Sequence, residues 1–260
     1  MRRTRRSILG ILTATALAGG ALAATAPAAS AADPQRVRIV TANVDFNADK
    51  DVVMDRFRVY SENADIVLLQ EAKWIDLHWR LRNDDEWIVR QDLGSDAKQG
   101  SAIVIRRSIV EKASDVEALD LRLGTDSDEC DTLPRYIAHV RITLKNGGVI
   151  RPASAHLPPP RCQTGPGSDY DEMIDSIAAM SANHPSRLIV GGDWNKPVNS
   201  NPNGLKAKTD GRLVPRGLGD GIDGFYKPKA LSMPWGVTDA GLASSGHRAV
   251  KMTVDVPSTY

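Results

Sequence analysis

The sequence predicts a mixed α/β layered domain. Short apolar runs alternate with helical patterns after residue 32, and two of those runs are joined by Asn146-Gly147-Gly148, which reads as a hairpin. Strands arriving as hairpins, with helices between some of them, suit mixed layered sheets better than a purely parallel sheet. The part after residue 32 has no internal repeat and no low-complexity linker, so one large domain over 33–260 is expected.

In chain order, Val37–Ala42 reads as a strand. Val52–Asn63 reads as a helix whose apolar residues are Val52, Val53, Phe57 and Tyr60. Asp65–Gln70 is a second apolar run, and Trp74–Arg82 a weaker helical segment. Ser101–Ile105, Tyr136–Leu144 and Val149–His156 read as strands, the last two forming the hairpin. Tyr170–Ala182 reads as a helix with Met173, Ile177 and Met180 on one side. Leu188–Val190 and Ala249–Val256 are the remaining strands, and polar, glycine-dotted Asn199–Gly221 reads as a long surface loop.

Residues 1–32 read as an export leader rather than part of the fold. Thr4-Arg5-Arg6-Ser7-Ile8-Leu9 sets paired arginines before an Ala/Leu-rich stretch, and Ala29-Ser30-Ala31 is a small-x-small cleavage signature. The adjacent arginines point to the twin-arginine route and so to a secreted protein. The leader carries Arg2, Arg3, Arg5 and Arg6 and no acid. Of 33 basic residues 29 then remain against 32 acidic ones, a charge of about −3. Capture of nucleic acid through global positive charge is not indicated, but a local basic cleft can coexist with a neutral total. In an exported chain, Cys130 and Cys162 read as a disulfide rather than a metal site. Closing a loop of roughly 30 residues contributes on the order of 3–4 kcal/mol in the chain-entropy picture.

Arg187-Leu188-Ile189-Val190-Gly191-Gly192-Asp193-Trp194-Asn195 is the most informative stretch. An apolar run ends at two glycines and delivers a carboxylate and a carboxamide two residues apart, on one side of an extended backbone. The glycines read as a tight turn with room for a bulky ligand. An acid able to hold a metal or a proton, beside an amide able to donate to an oxyanion, suits phosphoryl chemistry.

Other polar groups recur at the ends of the expected strands. Asn43 follows Ile39-Val40-Thr41-Ala42, Gln70-Glu71 follows Ile66-Val67-Leu68-Leu69, and His156 follows Ala153-Ser154-Ala155. Asp223 follows Gly221-Ile222, and His247 precedes the last strand. Singly, each has an ordinary reading. Asn43 and Asp223 are common turn residues, Glu71 suits a helix start, and His156 and His247 suit loop or strand-entry positions. Jointly, polar side chains at several strand ends point to one shared site.

The order of these pieces resembles the endonuclease/exonuclease/phosphatase superfamily, in its deoxyribonuclease-like form. The matching pieces are Thr41-Ala42-Asn43, Leu68-Leu69-Gln70-Glu71, Ser154-Ala155-His156-Leu157, Gly192-Asp193-Trp194-Asn195, Ile222-Asp223 and Ser245-Gly246-His247-Arg248. The resemblance implies a four-layered sandwich, two mixed β-sheets packed face to face with helices outside. It also implies hydrolysis of a phosphate ester with Mg²⁺, Mn²⁺ and Ca²⁺ being the alternatives. Glu71 would be the main metal carboxylate, with Asn43 close by. His247 would take a proton from the attacking water, with Asp223 holding its other ring nitrogen. Asp193 would sit near metal and leaving group, and Asn195 and His156 would donate to phosphate or leaving oxygens. Arg135 would face the phosphate.

One departure stands out. The resembled pattern reads Ser-Asp-His where this chain has Ser245-Gly246-His247, so one carboxylate is missing. A single-metal enzyme of weaker metal affinity is the expectation. DNA, with RNA as a variant, is the leading substrate. Arg151, Arg161, Lys206, Lys208, Arg212, Arg216, Lys227 and Lys229 are loop cations that could line a phosphate track. A sphingomyelinase-type phosphodiesterase acting on membrane lipid is the alternative, with Trp74, Trp79, Trp87 and Trp235 as candidates for entering the interface. A non-catalytic binding protein and a small-phosphate phosphatase are further alternatives. A monomer is expected.

Overall fold

A computed structural model describes residues 33–94, 100–121, 135–160 and 168–258. The chain falls into two units, Met1–Ser30 and Ala31–Tyr260, and the described residues belong to the second. The expected leader lies outside the described residues, as do Cys130, Cys162 and Arg161.

Two sheets make up the domain, with strands numbered in chain order. The first contains β1 (Gln35–Asn43), β2 (Ile66–Gln70), β3 (Trp87–Gln91), β4 (Ala102–Arg106), β13 (Val237–Ser244) and β14 (His247–Val256), in the order β13-β14-β1-β2-β4-β3. The second contains β5 (Val110–Ala113), β6 (Glu117–Leu121), β7 (Arg135–His139), β8 (Ile142–Leu144), β9 (Val149–His156), β10 (Leu188–Asp193), β11 (Leu213–Gly217) and β12 (Asp223–Pro228). Its order is β11-β12-β10-β9-β7-β6, with β8 pairing both β9 and β5. Each sheet is mixed: β1 is parallel to β2 but antiparallel to β14, and β10 is parallel to β9 but antiparallel to β12.

Strand periodicity of two explains the layers. Alternate residues of β1, Val37 and Ile39, join Ile66, Leu68, Ile103 and Ile105 against Ile142, Ile150, Ile189 and Phe225 of the other sheet. The intervening residues, Val40 and Ala42, pack with Val67 and Leu69 under α1 (Lys50–Ser61) through Val53, Met54, Phe57 and Tyr60. On the far side Ala153, Ala155, Leu188 and Val190 take Tyr170, Met173, Ile174 and Ile177 of α3 (Asp169–Asn183). Three buried clusters separate four layers, and the expected sandwich is the fold.

Local physics sets the helix starts. Asp49 caps α1 by accepting from the backbone amides of Asp51 and Val52, and Ser168 caps α3, whose first turn holds Asp169, Asp171 and Glu172. The segment Trp74–Arg82 forms one helical turn, α2 (Leu77–Arg80), capped by Asp76.

Four readings are corrected. Val52 is 42 % exposed, and Met54 takes its place in the core face of α1. The run Tyr136–Leu144 is two strands, not one. Its register against β9 is unchanged across the break, where the Val140 amide donates to the carbonyl of Pro152 and proline has no N–H to return. Asn199–Gly221 is not a surface loop: it contains α4 (Leu205–Lys208) and edge strand β11, and Leu205 and Leu213 are fully buried in the outer cluster. Gly191 and Gly192 lie within β10 rather than in a turn. A Cβ on Gly192 would stand 2.0 Å from the Ala155 carbonyl oxygen, and one on Gly191 2.6 Å from Leu68 Cδ1. Their bareness therefore serves close approach of neighbouring strand and facing sheet, not access for a ligand.

Candidate active site

Sheet register brings the polar strand ends together. At the tip of the second sheet, Asp193 of β10 stands opposite His156 of β9 on one side and Asp223 of β12 on the other. In the first sheet, Asn43 of β1 stands beside Gln70 of β2, so Glu71 emerges next to Asn43. His247 opens β14 after the two-residue turn Ser245-Gly246. One side chain bridges the sheets: Asn43 Nδ2 donates to Glu71 Oε1 at 2.9 Å and to Asp193 Oδ2 at 3.0 Å. Its own oxygen accepts from the Asp45 amide, which sets the orientation of the carboxamide.

Behind the centre, a buried polar network couples the sheets. Gln70 Nε2 donates to Ser154 Oγ at 2.9 Å, and Ser154 Oγ donates to the Leu69 carbonyl at 2.7 Å. Glu71 itself takes a left-handed backbone, φ 57°, which turns its carboxylate back over the strand ends, where Oε2 accepts from the Phe46 amide at 3.2 Å. Non-glycine residues in that region store strain and mark sites held by their surroundings.

His247 Nδ1 lies 2.9 Å from Asp223 Oδ2, leaving Nε2 for chemistry. The hydrogen bond to Asp223, helped by the charges of Asp223, Asp193 and Glu71 and opposed by burial, raises this imidazole to about 9. His156 behaves oppositely. Burial, then the adjacent Arg135 and His247, hold it well below the usual histidine range, so it is neutral. Arg135 Nη1 is 3.0 Å from its Nδ1, and a guanidinium can only donate, which leaves the ring proton on Nε2. That Nε2 is 3.5 Å from Asp193 Oδ2 and 3.7 Å from Glu71 Oε1. Asp193 is pushed up to about 6 by burial first and by Asp223 second.

Two acid/histidine groups result, Glu71–His156–Asp193 and Asp193–Asp223–His247, sharing Asp193, and within each the ligand atoms lie within 4.8 Å of one another. The oxygen-rich side of this centre fits a hard divalent cation. Asp193 is buried beside another acid and gains from positive charge there. Glu71 and Asp193 would supply the carboxylates. Asn43, as oriented, steadies both by donation and would have to turn its oxygen inward to join them.

The structure thus brings Asn43, Glu71, Arg135, His156, Asp193, Asp223 and His247 to one place. Arg135 reaches it through His156. Asn195, with φ 47°, donates its backbone amide to Asp193 Oδ1 and its side-chain amide to the Leu157 carbonyl, so it braces this corner of the site. Several other expectations fall away. Lys227 is 2 % exposed, donates to the carbonyls of Pro228 and Leu231, and is lowered by burial to about 8, so it lines no surface track. Lys208 and Arg212 pair with the exposed acids Asp175 and Asp210 and stay at the surface, while Arg151, paired with Glu117, is largely covered. Trp87 is buried under α1 and cannot enter an interface. Sequence reasoning missed Ser154 and the exposed Phe46. The signal for Ser154 was a hydroxyl at an inward position of an otherwise apolar strand.

A two-sheet sandwich with carboxylates and histidines gathered at its strand ends is the fold of the phosphodiesterase and nuclease class. The chain belongs to the Endonuclease/Exonuclease/phosphatase family, whose model matches residues 40–247. No curated protein matches it by sequence. Solved structures share the fold at low identity. D. rerio TDP2 complexed with single-strand DNA product is 15% identical with a TM-score of 0.61, covering 85% of this chain and 99% of that one. An endonuclease/exonuclease/phosphatase family protein from Bacteroides thetaiotaomicron is 15% identical with a TM-score of 0.59, covering 85% and 98%. The endonuclease domain of TRAS1, a telomere-specific non-LTR retrotransposon, is 16% identical with a TM-score of 0.54, covering 85% and 99%.

Proposed function

We propose that this protein is an exported, divalent-metal-dependent phosphodiesterase acting on DNA. The observation that carries the reading is the pair of acid/histidine groups joined through Asp193. His247, with Nδ1 hydrogen-bonded to Asp223, acts from its neutral form, which a cation at Glu71 and Asp193 would favour by lowering the raised imidazole, and it accepts at Nε2 the proton of a water that attacks phosphorus. The bond from phosphorus to the leaving oxygen then breaks. Neutral His156 donates its Nε2 proton as a hydrogen bond to a phosphate oxygen, stabilising the charge that develops there. Arg135 keeps that tautomer in place. The departing oxygen takes its proton from solvent, and Asp193 stays ionised for the cation. A divalent cation held by Glu71 and Asp193, with Mg²⁺ the first choice, would supply positive charge to the phosphate oxygens. The leader expected at 1–32 supports export, and likeness to a structure complexed with single-strand DNA product supports nucleic acid as substrate.

The test is turnover of single-stranded DNA, plasmid DNA and sphingomyelin liposomes with Mg²⁺ and with EDTA, beside His247→Ala. Mg²⁺-dependent DNA cleavage that disappears in the variant is the expected result. Liposome hydrolysis without DNA cleavage would transfer the assignment to lipid, and silence on both would favour a non-catalytic member.

A further inference from the structure

Two loops leave the site end of the first sheet side by side, following the parallel strands β1 and β2. Each carries a large aromatic ring that the fold leaves uncovered: Phe46 is 45 % exposed and Trp74 46 % exposed. Neither loop is relaxed. Asp45 has φ 61°, and Glu71 and Trp74 have φ 57° and 69°. A tryptophan held in the left-handed region while 46 % exposed carries backbone strain that burial of its side chain offsets only in part.

The two loops that carry these rings border the centre. The Phe46 backbone amide donates to Glu71 Oε2, and Trp74 follows Glu71 by three residues. Lys73 Nζ lies 4.4 Å from the centre of the Trp74 ring. Farther along the same rim α2 carries Trp79, exposed, with Arg82 and Arg80 over its ring at 4.1 and 5.6 Å. That helix sits at the site end of the sheet, because His78 Nε2 bonds the carbonyl of Gln91, which pairs with Ala102 and through it aligns with Leu69.

We infer that Phe46 and Trp74 form a stacking rim for unpaired bases beside the acid/histidine centre, so that the substrate is nucleic acid with unstacked bases rather than intact duplex. This rests on the phosphodiesterase reading above. Exposed rings interleaved with cations match a strand whose bases offer flat faces and whose backbone is anionic. A lipid surface fits less well, since Phe46 is flanked by Asp45 and Asn47 and the apolar neighbour of Trp74, Ile75, is buried.

The probe is a single-stranded thymidine oligomer compared with an abasic tetrahydrofuran oligomer of equal length and with a blunt duplex. Binding is read by anisotropy in EDTA and turnover in Mg²⁺, for wild type, Phe46→Ala, Trp74→Ala and Trp74→Phe. Wild type is expected to bind the base-bearing strand at least 10-fold tighter than the abasic one. Each alanine variant should cut that ratio several-fold and Trp74→Phe should largely keep it. An unchanged ratio in both alanine variants, or a preference for blunt duplex, would overturn the rim. So would vesicle binding of phosphatidylcholine–sphingomyelin that is lost in the same variants, since it would assign the rings to a membrane. Absence of turnover on every oligomer would sink the phosphodiesterase reading alone, because the EDTA binding ratio still decides the rim.

Discussion

Arg135 Nη1 stands 3.0 Å from His156 Nδ1, and that contact decides which edge of the imidazole faces the acids. The proton is left on Nε2, aimed between Asp193 and Glu71. Arg135→Ala should lower kcat by about 10- to 100-fold, since one preorganised donor loses its orientation. Removing the neighbouring charge also raises the depressed His156. The checks are steady-state kinetics and a ring titration by NMR in metal-free protein, where the protonation midpoint of His156 should move up.

The Asp223–His247 pair has a pH signature of opposite sign. In metal-free protein His247 should titrate at about 9, and Asp223→Asn should bring it down, since its largest upward cause is gone. A histidine raised on folding contributes stability that is complete below its unfolded value of about 6.5 and is lost as pH rises through its folded value. The wild type should therefore lose stability relative to Asp223→Asn between about pH 6.5 and 9, as read by urea unfolding across that window. Activity of Asp223→Asn should fall by about 100-fold or more.

Gly192→Ala should cost more than about 3 kcal/mol or prevent folding, because the new methyl meets a backbone oxygen that cannot step aside. Gly246→Ala, whose Cβ meets nothing within 4 Å, should stay within about 0.5 kcal/mol of wild type. Thermal unfolding of the two variants side by side decides it. A tolerated Gly192→Ala would mean that the β9–β10 contact is looser than described.

The open space at Gly246 also makes the missing carboxylate testable. Gly246→Asp fits sterically in the exposed turn before His247. An added anion near the centre should lower the Mg²⁺ concentration for half-maximal activity by roughly 10-fold. A Mg²⁺ activation curve that does not shift would show that this turn lies outside the reach of the cation.

Ser154→Ala removes the hydroxyl that serves both Gln70 Nε2 and the Leu69 carbonyl. The buried groups left short of a partner should cost about 1–3 kcal/mol in denaturant unfolding.

Much of the fold could be read along the chain. The strand Val149–His156 and the core face of α3 follow from periods of 2 and 3.6, which are local properties. The strands that escaped notice have weak local signals. β13 is shifted in register twice and carries exposed Thr238 and Asp239, while β12 opens on an aspartate that looks like a turn residue. Asn199–Gly221 misled because its polar composition hides Leu205 and Leu213, which are buried only by virtue of α3 and the second sheet.

The sequence by itself determined a layered α/β architecture and placed Asn43, Gln70-Glu71, His156 and Asp193 at the ends of its strands, because side-chain alternation and strand length are written in neighbouring residues. Only the tertiary structure decided who meets whom. Asn43 reaches Asp193 across 150 residues, Arg135 meets the ring of His156, and Gly192 lies beneath the Ala155 carbonyl. It also decided that Glu71 bends into the left-handed region and that His247 and Asp193 are raised while His156 is lowered. Contacts, burial and charge depend on distances between segments far apart in the chain, and no local pattern encodes a distance that two packed sheets create.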